Sequence, residues 1–288
     1  SQSKSSRLDS KTFINEVSAD IANLKGRVDG LEVKQKEFEA GGFSDTTTMD
    51  GKVIFDIGAI DYSLDSETKT EATNFGYSYT SNLNTSFTGD DNLYIRIKTG
   101  NHGSWMKDKT YGGYLGSVGK NSGTLTVDKI WYEFPVGENN TVWIGPKIEN
   151  YYMHGTAPSI YKPITKQFSL GGNGEAYGAS TDTGAGWAYK ADNGFAVSSN
   201  IGTKSKTTTT GSDTGLLSDE SKTSWATQVG FTKPQWSVSA LVNQKYNGWS
   251  DTYFHSLQHG PSSSNGNFSS VGLRGWWRPL ETGSATPS

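Results

Sequence analysis

The stretch NFGYSYTSNLNTSF, residues 74–87, alternates along its whole length. Phe75, Tyr77, Tyr79, Ser81, Leu83, Thr85 and Phe87 fall on one side of an extended chain. Gly76, Ser78, Thr80, Asn82, Asn84 and Ser86 fall on the other. A period of two marks a strand with one apolar face and one wetted face. At fourteen residues the run is long for a strand of a soluble domain. A soluble sandwich would turn its apolar side to a core, whereas a membrane barrel would turn it to lipid.

The next strand chooses between them. In LYIRIKT, residues 93–99, Leu93, Ile95, Ile97 and Thr99 face one way, and Arg96 and Lys98 face the other. Two cations are tolerated inside a watery barrel, but cost roughly 2–4 kcal/mol each at the middle of a bilayer. The apolar rows therefore read as lipid-facing and the polar rows as lumen-facing.

From about Thr46 onward the same period predicts ten strands, near 46–61, 72–87, 91–100, 124–134, 140–150, 184–190, 194–201, 223–233, 235–245 and 267–278. After the first connection, short and long connections alternate. TGD, PVGENN, ADNG and KPQW make tight turns, and the long connections are rich in Gly, Ser, Thr and Asn. Outer-membrane barrels have short periplasmic turns and long external loops in this way. Aromatic residues crowd the short-turn end: Phe87, Tyr94, Tyr132, Phe134, Tyr189, Phe195, Phe231, Trp236, Trp276 and Trp277. Rings repeated at one end of successive strands read as an interfacial girdle.

Composition agrees. The chain is 33% hydrophobic and 19% charged, with 35 glycines among 288 residues. That is lean for a packed core of this size, but suits a barrel with only one apolar strand face. The formal charge of −3 argues against nucleic acid as a partner. Having no cysteine, the chain has no disulfides and no thiolate chemistry. No run of about 18 apolar residues predicts a transmembrane helix. The start, SQSKSSRLDS, lacks the apolar core of a signal peptide and is expected to be a processed or truncated end.

The first 42 residues differ from the rest. Ile14, Val17, Ile21, Leu24, Val28, Leu31, Gln35 and Phe38 recur at alternating steps of three and four. They form the seam of a helical coiled coil that ends at Gly41-Gly42. Gly26 and Gly30 weaken the helix on its own, so partner strands must support it. The seam residues leave dimer and trimer open. The division is thus a coil over 1–42 and an all-β transmembrane antiparallel barrel over 43–288. A trimeric surface fibre, with a coil leading into β-structure, is the alternative. It leaves the alternating connections and lipid-facing rows unexplained.

Strand phase nominates a pore lining of Lys52, Asp56, Arg96, Lys98, Lys129, Glu133, Lys147, Glu149 and Arg274. Cations outnumber acids six to three in that set, which points to anion preference or to none. The longest connection, 151–183, holds PSIYKPITKQF, with Ile160, Tyr161, Ile164 and Phe168 near helical spacing. Loops of that length are commonly functional. This one either folds inward and narrows the pore, bringing Tyr161, Lys162 and Lys166 near the constriction, or forms an external cap or a trimer contact. GGNGEAYG lacks the Lys-Ser/Thr and helix of a phosphate loop. His255 and His259 lie in a loop whose nearest carboxylate is Asp251, which is thin for a metal site. No nucleophile or paired-carboxylate motif is recognisable, so neither enzyme activity nor a cofactor is expected.

Three segments carry a family resemblance: LKGRVDGLEVKQKEFEAGGFSDTTTMDGKVIF (24–55), LNTSFTGDDNLYIRIKTGN (83–101) and DKIWYEFPVGENNTVWIGPKIEN (128–150). The chain resembles the cyanobacterial outer-membrane porins of the Som type, also called iron uptake porins, which are related to the carbohydrate-selective porins. The resemblance runs from about residue 8 to the end and is loose in the loops. It implies passive diffusion of small hydrophilic solutes and ions, with iron as a family label. It also implies a homotrimer in outer-membrane lipid and lipopolysaccharide, with the coil in the periplasm. Family members anchor to peptidoglycan through a surface-layer-homology domain before the coil, and that motif does not occur in this sequence. RPLETGSATPS closes in a turn where family barrels continue, so the chain is expected to lack both the cell-wall domain and the closing strands.

Overall fold

The computed structural model describes residues 13, 15, 17, 18, 20–31, 46–64, 67–70, 72–107, 114–119, 121–165, 182–204, 221–246 and 267–278. The chain divides into two units, Ser1–Met49 and Asp50–Ser288.

In the first unit the described residues between 13 and 31 are helical. Val17, Ile21, Leu24, Val28 and Leu31 lie on one stripe of that helix, 38% to 65% exposed. Ile14 and Phe38, at the two ends of the expected seam, lie outside the described residues. The described structure is one amphipathic helix with an uncovered apolar stripe.

The second unit is built on one ten-stranded sheet. Its strands, in spatial order, are β1 (Thr47–Gly58), β4 (Asn74–Thr85), β5 (Asn92–Gly100), β6 (Thr126–Val136), β7 (Asn140–Ile148), β8 (Asp182–Lys190), β9 (Phe195–Lys204), β10 (Lys222–Lys233), β11 (Trp236–Tyr246) and β12 (Phe268–Trp277). Each pairing registered from β4 to β12 is antiparallel, between strands consecutive in this order. These are the ten expected strands, with ends shifted by a few residues. A small hairpin, β2 (Asp61–Leu64) and β3 (Glu67–Thr70), lies in a stretch read as a plain connection. The connections at 86–91, 137–139, 191–194 and 234–235 are short and alternate with long ones. In an antiparallel meander this puts every short turn at one end of the sheet.

The two faces of the sheet reverse the burial order of a soluble protein. One face is open and apolar: Ile57 is 72% exposed, Val271 68% and Leu273 76%. The other is covered and polar: Gln228 is 1% exposed, and Asn243 and Lys245 0%. Register carries both faces from strand to strand. Leu83, Ile95 and Ile130 meet on the open face, and Asn82, Arg96 and Lys129 meet on the covered one. Single exposed apolar residues are ordinary, but an uncovered row running across neighbouring strands is not.

Chain segments, rather than a second sheet, cover the polar face. A short 3-10 helix, Asn150–Met153, sets Met153 against β8 and Tyr152 against Trp131. From there the chain crosses β9, where the Gly155 amide donates to Ser198 Oγ at 2.9 Å. It crosses β10 by a two-way pair: the Thr156 amide donates to Gln228 Oε1 at 2.8 Å, and Gln228 Nε2 donates to the Thr156 carbonyl at 2.9 Å. It reaches β12 where the Tyr161 hydroxyl donates to the Trp277 carbonyl at 3.2 Å. It then meets the β5–β6 connection: the Gly116 amide donates to the Ile164 carbonyl at 2.6 Å, and Leu115 bridges Thr165. Ser117, next along, donates to Asp56 of β1 at 2.9 Å. The segment 150–165 and the 114–119 stretch thus link β12 to β1, so the sheet curls around them.

Candidate functional site

Between the curled wall and the covering segments lies a cavity of about 640 Å³. Its wall comes from successive covered-face positions. β1 gives Asp50, Lys52 and Ile54; β4 gives Ser78, Thr80 and Asn82; β5 gives Arg96 and Lys98. Thr126, Asp128 and Lys129 of β6 follow, then Glu149 and Tyr151. Tyr114, Gly116, Ser117, Val118 and Asn121 close it from the β5–β6 connection. Alternate residues of adjacent strands stack on one face, so the lining follows directly from the pairing register.

The polar groups of the wall are tied together. Asn82 gives its Nδ2 to Asp50 Oδ1 at 2.5 Å and receives, at Oδ1, the Tyr94 hydroxyl at 2.6 Å and Arg96 Nε at 3.0 Å. Asn84 Nδ2 donates to the other Asp50 oxygen at 3.3 Å. Arg96 lies 5.5 Å from the Tyr94 ring centre and 5.9 Å from that of Tyr152. Tyr94 in turn stacks on Trp131 at 4.0 Å. Lys129 is buried and binds Glu149 at 2.5 Å. Lys98 gives Nζ to the Val118 carbonyl at 3.0 Å. Burial raises the Tyr151 hydroxyl well above its ordinary range, with the Glu149 carboxylate adding to the effect.

Of the residues nominated from sequence, Lys52, Arg96, Lys98, Lys129 and Glu149 line this one cavity. Asp56 lies on the covered face but holds the connection. Its Oδ2 receives Ser117 Oγ at 2.9 Å and faces His102 Nε2 at 2.8 Å, while His102 Nδ1 accepts the Gly119 amide at 3.0 Å. This Ser–Asp–His contact is a bracket, because Ser117 bonds the acid and not the imidazole. Glu133 accepts Trp143 Nε1 at 2.7 Å, and Arg274 pairs with buried Ser239; neither lines the cavity. Lys147 is displaced. The strand slips register between Gly145 and Ile148, and Lys147 pairs with Ile130 of the open-face row. It stays exposed, with Nζ on the Val127 carbonyl. A bulge adds one residue to the alternation, which strict counting from sequence cannot register.

The longest connection does cross the covered face, as far as it is described. Tyr161 reaches β12, Lys162 is exposed, and Lys166 lies outside the described residues. His255 and His259 also lie outside them. Tyr132, Phe134, Tyr189, Phe195, Phe231, Trp236 and Trp277 stand on the open face near the short turns, with Phe231 and Trp236 stacked at 5.6 Å. Tyr94 and Trp276 do not join them. Tyr94 shares the phase of Arg96, and Trp276 that of Ser237, so both face inward. Sequence reasoning also missed Asp50 and the bracing by Asn82 and Tyr152. Asn82 was legible as a wetted position and Tyr94 by its phase; Tyr152 carried no signal, since its place depends on where a loop returns.

A family model described as "Carbohydrate-selective porin, OprB family" matches residues 6–277. The chain belongs to the OprB porin family. It is also 34% identical over 134 residues to an uncharacterized protein, alr4550, of the cyanobacterium Nostoc sp. (strain PCC 7120). That match takes in 42% of this chain and 23% of the Nostoc protein, so the chain spans under a quarter of that relative. OprB proteins are porins of the outer membrane, a channel family and not an enzyme family. Membership accords with a ten-stranded sheet whose apolar face is uncovered.

Proposed function

We propose that this protein is an outer-membrane diffusion channel for small hydrophilic solutes and inorganic ions. The observation that carries the reading is the reversal of burial: apolar rows uncovered on the outside of the sheet, polar rows covered around a cavity. In lipid the uncovered rows lose their cost, and the polar rows become the wetted wall of a pore. The seven open-face aromatics at the short-turn end are then an interfacial girdle. The segment 150–165 narrows the pore, and the charges of the cavity wall sort what passes.

The further parts of the reading follow from family membership and the helix. The exposed stripe at Val17, Ile21, Leu24, Val28 and Leu31 joins copies in a periplasmic coil, with three barrels in the assembly. Lipopolysaccharide surrounds the long-loop end, and a cell-wall-binding segment beyond this chain ties the assembly to peptidoglycan. Carbohydrates are solutes of the right chemistry for a wall of tyrosines, amides and charges. Iron would pass as one ion among others. A soluble fibre has no use for uncovered rows on a curled sheet.

The test is conductance of the purified full-length chain in a planar bilayer. Discrete, uniform current steps are the expected result. A protein that stays dispersed without detergent and gives no steps overturns the reading.

A further inference from the structure

We propose that the cavity selects anions, and that Arg96 and Lys52 set that selection. This rests on the channel reading. The wall carries Lys52, Arg96, Lys98 and Lys129 against Asp50, Asp128 and Glu149, four cations to three carboxylates, so counting alone decides little. The pairing decides. Glu149 binds the Lys129 ammonium at 2.5 Å, and Asp128 lies 3.9 Å from the same group. Asp50 accepts the amides of Asn82 and Asn84, one on each oxygen. Every acid of the wall therefore already faces a donor belonging to the wall.

Arg96 and Lys52 face no acid. Arg96 is oriented by an amide oxygen and by the rings of Tyr94 and Tyr152. These hold its plane without neutralising it, and among the described residues no carboxylate comes within ion-pair distance of its guanidinium. Lys52, one strand away from Asn82, makes neither a hydrogen bond nor an ion pair among the described residues, and it is exposed. A guanidinium braced by stacking has already lost most of its rotamer freedom, so its remaining N–H donors meet a carboxylate, phosphate or halide at little further entropic cost. Asn82 is a positioning residue here. Its amide donates to Asp50, and its oxygen accepts from Arg96 and Tyr94, so it stands between the acid and the cation.

The experiment is the reversal potential of the full-length chain in a planar bilayer under a KCl gradient. The wild type is expected to pass chloride in preference to potassium. Arg96→Gln and Lys52→Gln should each lower the chloride-to-potassium permeability ratio by about sevenfold, because by Coulomb's law one unit charge roughly 7 Å away through water shifts chloride and potassium by about one RT each, in opposite directions. Arg96→Lys should keep the ratio. Lys52 holds nothing in place, so Lys52→Gln tests the idea even if Arg96→Gln fails to insert. A wild type that prefers potassium or neither ion overturns the anion assignment, as does an unchanged ratio in Lys52→Gln. No current steps at all would instead overturn the channel reading beneath it.

Discussion

Asp91 anchors the first short turn through a single carboxylate. Its Oδ1 receives the Phe87 and Thr88 amides at 2.9 and 2.7 Å and the Ser86 and Thr88 hydroxyls at 2.9 and 2.8 Å. Its Oδ2 receives the Tyr132 hydroxyl at 2.6 Å. The Tyr132 bond is the largest influence, and together with Thr88 and Ser86 it outweighs burial and holds the acid well below its ordinary value of 3.8. A depressed carboxyl gives stability that is complete above pH 3.8 and is lost as pH falls toward the folded value. Asp91→Asn should lower the thermal unfolding midpoint in detergent at pH 7, with the gap from wild type closing in strong acid. An equal midpoint at pH 7 would contradict this. His154 works in the opposite sense. Burial holds its imidazole down to about 3, with Nδ1 3.2 Å from Asn200 Nδ2. Between pH 6.5 and about 3 the undocked segment takes up a proton that the docked one refuses. Docking should weaken by about 1.4 kcal/mol per pH unit in that window. Amide exchange at Gly155, corrected for its intrinsic rate, should therefore speed about fivefold on going from pH 6.5 to 5.5, and about ninefold from 5.5 to 4.5. His154→Gln should abolish the change, and a wild type with flat corrected exchange would refute it.

At the scale of elements, the segment 150–165 and its wall are fitted by the absence of side chains. A Cβ on Gly186 would stand 2.7 Å from Met153 Sδ, and one on Gly230 would stand 2.8 Å from Thr156 Cβ. Gly230→Val should force the segment off β10 at a cost of about 1–3 kcal/mol, while the sheet keeps its pairing. Chymotrypsin should then cut after Tyr152 faster than in wild type, with the β-signal in circular dichroism unchanged. Unaltered cleavage would mean that the contact does not hold the segment. Strands were legible here because the alternation of NFGYSYTSNLNTSF, LYIRIKT and their neighbours is set locally by the pleat. The hairpin β2–β3 was not, since DYSL and ETKT are four residues each, too short to show a period. The path of 150–165 was legible only as one of several alternatives. Its docking partner, Gln228, lies 72 residues beyond Thr156, and nothing local to either residue names the other.

At the scale of the whole molecule, the helix stripe and the sheet's open face are both apolar and both uncovered, but they ask for different partners. The stripe is narrow and heptad-spaced, suited to other helices. Val28→Glu should lower the fraction of cross-linked oligomer formed by the full-length chain in detergent, and an unchanged fraction would locate assembly elsewhere. The open face is broad and follows the register from β1 to β12, with Val53, Ile95, Ile144, Val229, Val242 and Leu273 along it. Such a surface answers to a continuous apolar solvent. The decisive comparison is between the two faces of one strand, because the chain and its propensity are then held constant. Leu273→Arg places a charge on the uncovered side of β12, and should cost about 2–4 kcal/mol of folding into lipid vesicles if it lies near the bilayer midplane. That loss should show as a lower urea midpoint by tryptophan fluorescence. Ser270→Thr, on the covered side of the same strand and paired with Asn243, keeps a hydroxyl at a polar position and should move the midpoint far less. Equal effects of the two changes would mean that the apolar face meets protein or water rather than lipid, and the reversal of burial would then need another partner to explain it.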